Sequence, residues 1–272
     1  MTSLLGRGPE PARRRTWPRV RPYAGIALDL GSARTRVWMS GRGTILDVPT
    51  VTFPGTGAAY PIQRGTIVDV PGTSRMLNRL LGHRLPRFGR PLLVLTTPVL
   101  GGIAYRAQAR TAVEVLRPRS VLTVPTARAV AVAADADPTR PLLVVDIGAH
   151  LTEVTLLADG AVTDARHTAL GTSDLDSRTP PSRITEAVVA MVTTMLEQDH
   201  TSETFEAVHR GALLAGGGAL RPDITYRLAD RLHAPVQPVP APHTAAVRGA
   251  AKLLQSARAH PSADAITDAH HR

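Results

Sequence analysis

Apolar residues fill Gly25 to Leu30 except for Asp29, and the turn Gly31-Ser32-Ala33-Arg34 leads into a second strand-like run, Thr35 to Met39. Gly43 to Val48 supplies a third, so the ordered part of the chain opens on a β-meander. Thr73 to Leu81 carries Met76, Leu77, Leu80 and Leu81 at helical spacing, and Pro91 to Thr96 follows as an apolar run of strand length. The pattern predicts a helix over 102–116, a short strand over 120–124, and a helix over 125–134 with proline in its first turn.

The opening then repeats. Leu142 to Ile147, Thr152 to Leu157 and Ala161 to Thr168 form a buried strand ending in Asp-x-Gly, a turn and two more strands. From Pro181 a helix presents Ile184, Val188, Met191, Val192 and Met195 on one face, and Ala212 to Ala215 is a strand running into Gly216-Gly217-Gly218. Two further helices, about 221–233 and 242–256, flank a short strand, Pro235 to Val239. Strands alternating with helices in two copies predict an α/β protein of two lobes with a duplicated mixed sheet. The expected division is a basic, disordered tail over 1–22, lobe I over 23–136 and lobe II over 137–240. A helix over 241–257 returns to lobe I, and a flexible tail covers 258–272.

Composition narrows the chemistry. The 272 residues are 43% hydrophobic but only 3% aromatic, so Val, Leu, Ala and Ile must fill the core, which disfavours a nucleic-acid surface built on stacked rings. The absence of cysteine removes disulfides, thiol nucleophiles and thiolate metal sites, and fits a cytoplasmic protein. The net charge of +10 is carried by arginine, with Lys252 the sole lysine. Such an excess attracts anionic membrane or nucleic acid without specifying either. No apolar run approaches the ~20 residues that span a bilayer.

Three glycine turns are the candidate site. Asp29-Leu30-Gly31-Ser32 ends an apolar strand where glycine permits a tight turn facing an anion, and a carboxylate beside it can hold Mg²⁺ through water. Alone this motif is weak; its second copy, Asp146-Ile147-Gly148, gives two turns able to clamp one polyphosphate. The third, Leu214-Ala215-Gly216-Gly217-Gly218-Ala219, is a strand running into glycines and a helix, where backbone can approach a nucleotide closely.

In order and content these segments resemble MreB, the rod-shape-determining bacterial actin. Gly25 to Thr35 is similar to that family's first phosphate segment, and Gly41 to Val51 to its second and third strands. Gly65-Thr66-Ile67-Val68-Asp69, Val144 to Gly148, Thr152-Glu153-Val154, Gly216 to Leu220 and Thr244 to Gly249 follow in the family's order, so that the likeness covers nearly all of 24–255. The resemblance implies the actin-like ATPase fold and a nucleotide held by Gly31, Ser32, Ala33, Arg34, Gly148, Ala149, His150, Gly216, Gly217, Gly218 and Ala219. Asp29 and Asp146 would carry Mg²⁺ through water. It also implies ATP as cofactor, partners among copies of the chain or full-length MreB filaments, and a role in cell shape or wall growth at the membrane.

The sequence departs from that pattern in four places. Residues 52–64 and 171–180 are too short for the family's rim subdomains IB and IIB, which predicts loops and an open cleft. Gly148-Ala149-His150 stands where the family has three glycines, and Thr123 where it has a carboxylate that orients attacking water. Weak ATP binding and slow or absent hydrolysis are therefore expected, with an active ATPase and a basic membrane or nucleic-acid adaptor as the alternatives.

Overall fold

The structure is a computed structural model that describes residues 24–55, 57–85 and 90–259; the expected tail 1–22 and residues 260–272 lie outside the described residues. The first half opens on the antiparallel meander β1 (Gly25–Leu30), β2 (Arg34–Met39) and β3 (Ile45–Pro49). A two-residue hairpin, β4 (Ile62–Gln63) and β5 (Thr66–Ile67), precedes helix α1 (Val70–Leu81). Then come β6 (Leu92–Thr97), α2 (Gly102–Val113), β7 (Ser120–Pro125) and α3 (Thr126–Ala133). Strands β6 and β7 join the meander in parallel, giving the order β3-β2-β1-β6-β7.

The second half repeats this plan: β8 (Leu142–Ile147), β9 (Thr152–Ala158) and β10 (Ala161–Thr168) are the meander. After α4 (Ser182–Gln198) and α5 (Glu203–Arg210) come β11 (Ala212–Ala215), α6 (Pro222–Leu232), β12 (Val236–Pro238) and α7 (Ala245–Ala259). The sheet order β10-β9-β8-β11-β12 is that of the first sheet, strand for strand. Aliphatic side chains fill both cores as the aromatic-poor composition requires: Ile26, Leu28, Leu77 and Leu95 in one lobe, and Leu143, Ile147, Ile184 and Met195 in the other.

The last helices of the two halves are exchanged. Val130 and Ala131 of α3 pack with Val144 and Leu157 of the second sheet. Val247, Ala250 and Leu254 of α7 pack with Ala27 and Val94 of the first. The two helices cross at Gly249, where an added Cβ would lie 1.7 Å from the Ala129 carbonyl oxygen, so only glycine permits that approach. This crossing and the opposed strand tips set the cleft between the lobes.

Boundaries differ from the sequence reading where local chemistry intervenes. Helix α1 begins at Val70 because Asp69 caps it, its Oδ1 accepting from Gly72 N–H at 2.8 Å, with Pro71 in the first turn. The short segments 52–64 and 171–180 hold an isolated bridge, Thr52 with Ala59, strand β4 and a single 3-10 turn over Thr172–Asp174. They do not leave the cleft open at this point, however. Arg64, beside the β4–β5 turn, reaches across to Asp174 at 2.6 Å and to the carbonyl of Ala169, bridging the rim.

Candidate functional site

Both Asp-x-Gly turns are built alike. Gly31 N–H donates to the Arg34 carbonyl at 3.1 Å, and Gly148 N–H donates to the Leu151 carbonyl at 2.8 Å. Each turn follows the central strand of its sheet, so Asp29 and Asp146 arrive at matching strand tips and face one cavity of about 310 Å³. Gly31, Ser32, Ala33, Arg34, Gly148, Ala149, Gly216 and Gly217 line it too. The third turn closes on the second: Gly216 has φ +80°, and a Cβ there would meet Asp146 Oδ1 at 2.4 Å and the Ile147 carbonyl oxygen at 2.3 Å. Gly216 N–H also donates to the Pro242 carbonyl at 3.0 Å, tying the glycine turn to the segment before α7.

Of the residues expected to hold the nucleotide, Gly218, Ala219 and His150 are not among those that line the cavity. Gly218 lies behind the wall, where a Cβ would be 2.3 Å from Ile147 Cγ2, and Ala219 is buried in the second core, so both serve packing. Thr123 is on edge strand β7 opposite Leu95 and does not line the cleft; strand alternation and the exposed edge turn it away. The groups that this segment brings to the cleft are Thr126, whose hydroxyl donates to the Thr97 carbonyl at 3.0 Å, and Val130. His150 bridges the two turns, its Nδ1 lying 3.0 Å from Ser32 Oγ.

Sequence reasoning missed the neighbours of the two aspartates. Arg36 and Glu153 each stand seven positions after an aspartate and oppose it across a hairpin, Asp29 with Arg36 and Asp146 with Glu153. The duplication was the available signal, since equal spacing in two copies puts equivalent positions at equivalent places. Asp29 pairs with Arg36 at 3.5 Å and accepts from Thr96 Oγ1 at 2.8 Å. Arg36 also reaches Asp47 at 3.3 Å, and Asp47 pairs with Arg34 at 2.6 Å, so arginine and aspartate alternate along the meander. On the other side Glu153 stands in the place of that cation. Burial, and then the Asp29 charge, push the Asp146 carboxyl up to about 7 against the opposing pull of Arg36. Burial and the Asp146 charge likewise push Glu153 up to about 7, although it accepts from Val99 N–H at 3.0 Å.

Carboxylates at two levels with one shared arginine are a site short of positive charge, and a hard divalent cation meets that deficit. The residues present therefore fit Mg²⁺. They fit a phosphate chain in part: the turns and Arg36 suit an anion, while the imidazole of His150 occupies the space between them.

No family model matches the sequence, and no curated protein matches it either. Solved structures do match. The fold is similar to that of MreB5 of Spiroplasma citri bound to ADP, with a TM-score of 0.75 and 14% identity over 87% of this chain and 97% of that one. A MamK double helical filament gives 0.70 at 16% identity, over 86% of this chain and 99% of that one. The ethanolamine utilization protein EutJ of Carboxydothermus hydrogenoformans gives 0.63 at 16% identity, over 86% and 91%. The chain has the two-lobed actin-like fold of these structures. Within that actin-like fold the cleft described above is the space between the lobes, floored by the crossing of α3 and α7. Among the described residues no helix is long and apolar enough to cross a membrane.

Proposed function

We propose that this protein is an MreB-like cytoskeletal subunit that binds ATP with Mg²⁺ weakly, hydrolyses it slowly or not at all, and assembles with itself or on filaments of full-length MreB in cell shape or wall growth. The observation that carries the reading is the convergence of two like-built Asp-x-Gly turns and the Gly216 turn on one cleft. That neighbours of the same fold are bound to ADP or AMPPNP, and that one forms a double helical filament, supports it.

In this reading Asp29 and Asp146 would hold the hydrated cation, which would supply neutralisation of the phosphate charge. Arg36 and the backbone of the turns 31–34 and 148–150 bind and orient the phosphates. Affinity is weakened because the Ser32–His150 hydrogen bond must break before phosphates can pass between the turns. Hydrolysis is slow because β7 brings no carboxylate to the cleft, so the wall at Thr126 and Val130 orients water poorly. The competent-ATPase reading rests on one specific observation: a second carboxyl, Glu153, lines the cleft opposite Asp146, where burial raises it toward taking a proton.

Calorimetry with ATP, with and without Mg²⁺, tests binding, and phosphate release and high-speed pelleting test turnover and assembly. Weak, Mg²⁺-dependent binding with little phosphate release is the expected result. No binding at millimolar nucleotide overturns the nucleotide role, and fast phosphate release abolished by Asp146→Ala decides for the ATPase.

A further inference from the structure

A second cavity, of about 460 Å³, opens on lobe I away from the cleft, between the end of β3 with the loop that follows and helix α1. Its interior is aliphatic: Val48, Val51, Met76 and Leu80 face it, with Phe53 exposed at its mouth. Its rim is cationic. Arg75 and Arg79 stand four residues apart on one face of α1, about 6 Å from each other, and His83 and Arg84 border the cavity from the turn just beyond the helix. Arg79 and His83 form no ion pair among the described residues, and Arg75 reaches Asp69 only at 3.7 Å.

We propose that this groove is a docking site for an acidic peptide segment of a partner protein, one apolar side chain entering between Met76 and Leu80 while flanking carboxylates meet the α1 cations. Four considerations choose this occupant. Complementary charge calls for an anion, and the guanidinium fork pairs two-pronged with carboxylate. The apolar groups are recessed in a concave site, which a side chain fills and a bilayer surface does not reach. A second copy is a poor occupant, because a chain of net charge +10 brings mostly like charge. The floor offers no stacking platform for bases beyond Phe53.

The test uses the full-length chain and a fluorescein-labelled peptide of the order Glu-Glu-Leu-Phe-Glu-Glu, followed by anisotropy. Saturable one-to-one binding is expected. Arg79→Glu and His83→Glu, both at exposed positions, should each weaken it about tenfold with an unchanged melting temperature. A peptide with serines in place of the leucine and phenylalanine should bind about tenfold less well. The proposal is overturned by any of three results: no saturable binding, equal binding to wild type and Arg79→Glu, or equal binding of the serine peptide, which would mean charge alone. Binding of phosphatidylglycerol vesicles that Arg79→Glu abolishes, with the peptide unable to compete, overturns it in favour of a membrane.

Discussion

His150 joins the two Asp-x-Gly turns through one side-chain hydrogen bond, between the turns that the proposed function assigns to the phosphates. Such a bond has a net worth of about 0.5–1.5 kcal/mol, and about 1.4 kcal/mol is a factor of ten in affinity. His150→Gly should therefore tighten nucleotide binding about three- to tenfold in calorimetry. Ser32→Ala should gain less, since it also removes a hydroxyl from the phosphate wall. Equal affinity in wild type and His150→Gly would show that the imidazole swings aside at no cost. The carboxylates give a second residue-scale test. Asp146 and Glu153 rise from 3.8 and 4.5 to about 7 in the folded chain, so between about pH 4 and 7 the folded state binds more protons than the unfolded one. Stability is then greatest at the acid side of that window and falls as pH rises through about 7, by an amount on the order of a few kcal/mol. Asp137, Asp176 and Asp199 shift the other way, and their contributions are lost only as pH falls below the ordinary carboxylate range. Denaturant melts of metal-free protein from pH 5 to 8.5 should show the decline, and Asp146→Asn with Glu153→Gln should flatten it. An unchanged slope in the double variant would assign the pH dependence to other groups.

Among the elements, α3 and α7 carry the connection between the lobes, and their crossing is sensitive to a single carbon. Gly249→Ala places a methyl group against the Ala129 backbone at a distance no relaxation of side chains relieves. The expected cost is about 2–3 kcal/mol, a fall in melting temperature of about 5–10 °C for a chain of this size. Gly217→Ala is the control: nothing lies within 4 Å of a Cβ there, so stability should hold while nucleotide affinity drops, since Gly217 lines the cleft. A stable Gly249→Ala variant would mean that the helices separate readily. The crossing also marks a limit of sequence reading. Runs such as Leu142 to Ile147, and the faces of α1 and α4, were legible because apolar period reflects burial directly. The duplication made both Asp-x-Gly turns legible as one site. The packing of α3 on the second sheet leaves no periodic trace, because an alanine-rich face packs equally well on either sheet. Helix α5 escaped because its buried positions, Thr204 and Ala207, are too small and too few to mark an apolar face. Thr123 was assigned to the site by resemblance, and strand alternation on β7 turns it away.

At the scale of the whole molecule, the reduction of the rim has not left the lobes free of one another. Where the MreB pattern has two subdomains, this chain has the β4–β5 turn and the 172–174 turn, joined by Arg64 and Asp174, with Gly65 so near Leu151 that a Cβ would lie 2.8 Å from its Cδ2. Asp174 is itself anchored, its Oδ2 accepting from Gly171 N–H at 2.9 Å, so the contact is held on the lobe II side by the turn that also packs on Ala149. The pair is half exposed on the arginine side, and exposed pairs contribute about 0–1 kcal/mol, so Arg64→Ala should leave the melting temperature nearly unchanged. Its effect should fall on the opening of the cleft, because the contact joins parts that would separate on opening but not on local fraying. Amide hydrogen exchange in the turns 31–34 and 148–151 should speed up severalfold in Arg64→Ala, while exchange in β1 and β8 stays as in the wild type. Release of a fluorescent adenine nucleotide should accelerate in parallel, with Asp174→Asn giving a smaller change because its amide oxygen can still accept from Arg64. If exchange quickens equally across both sheets, Arg64 supports the fold as a whole; if the turns do not change, the crossing of α3 and α7 alone governs how far the lobes open.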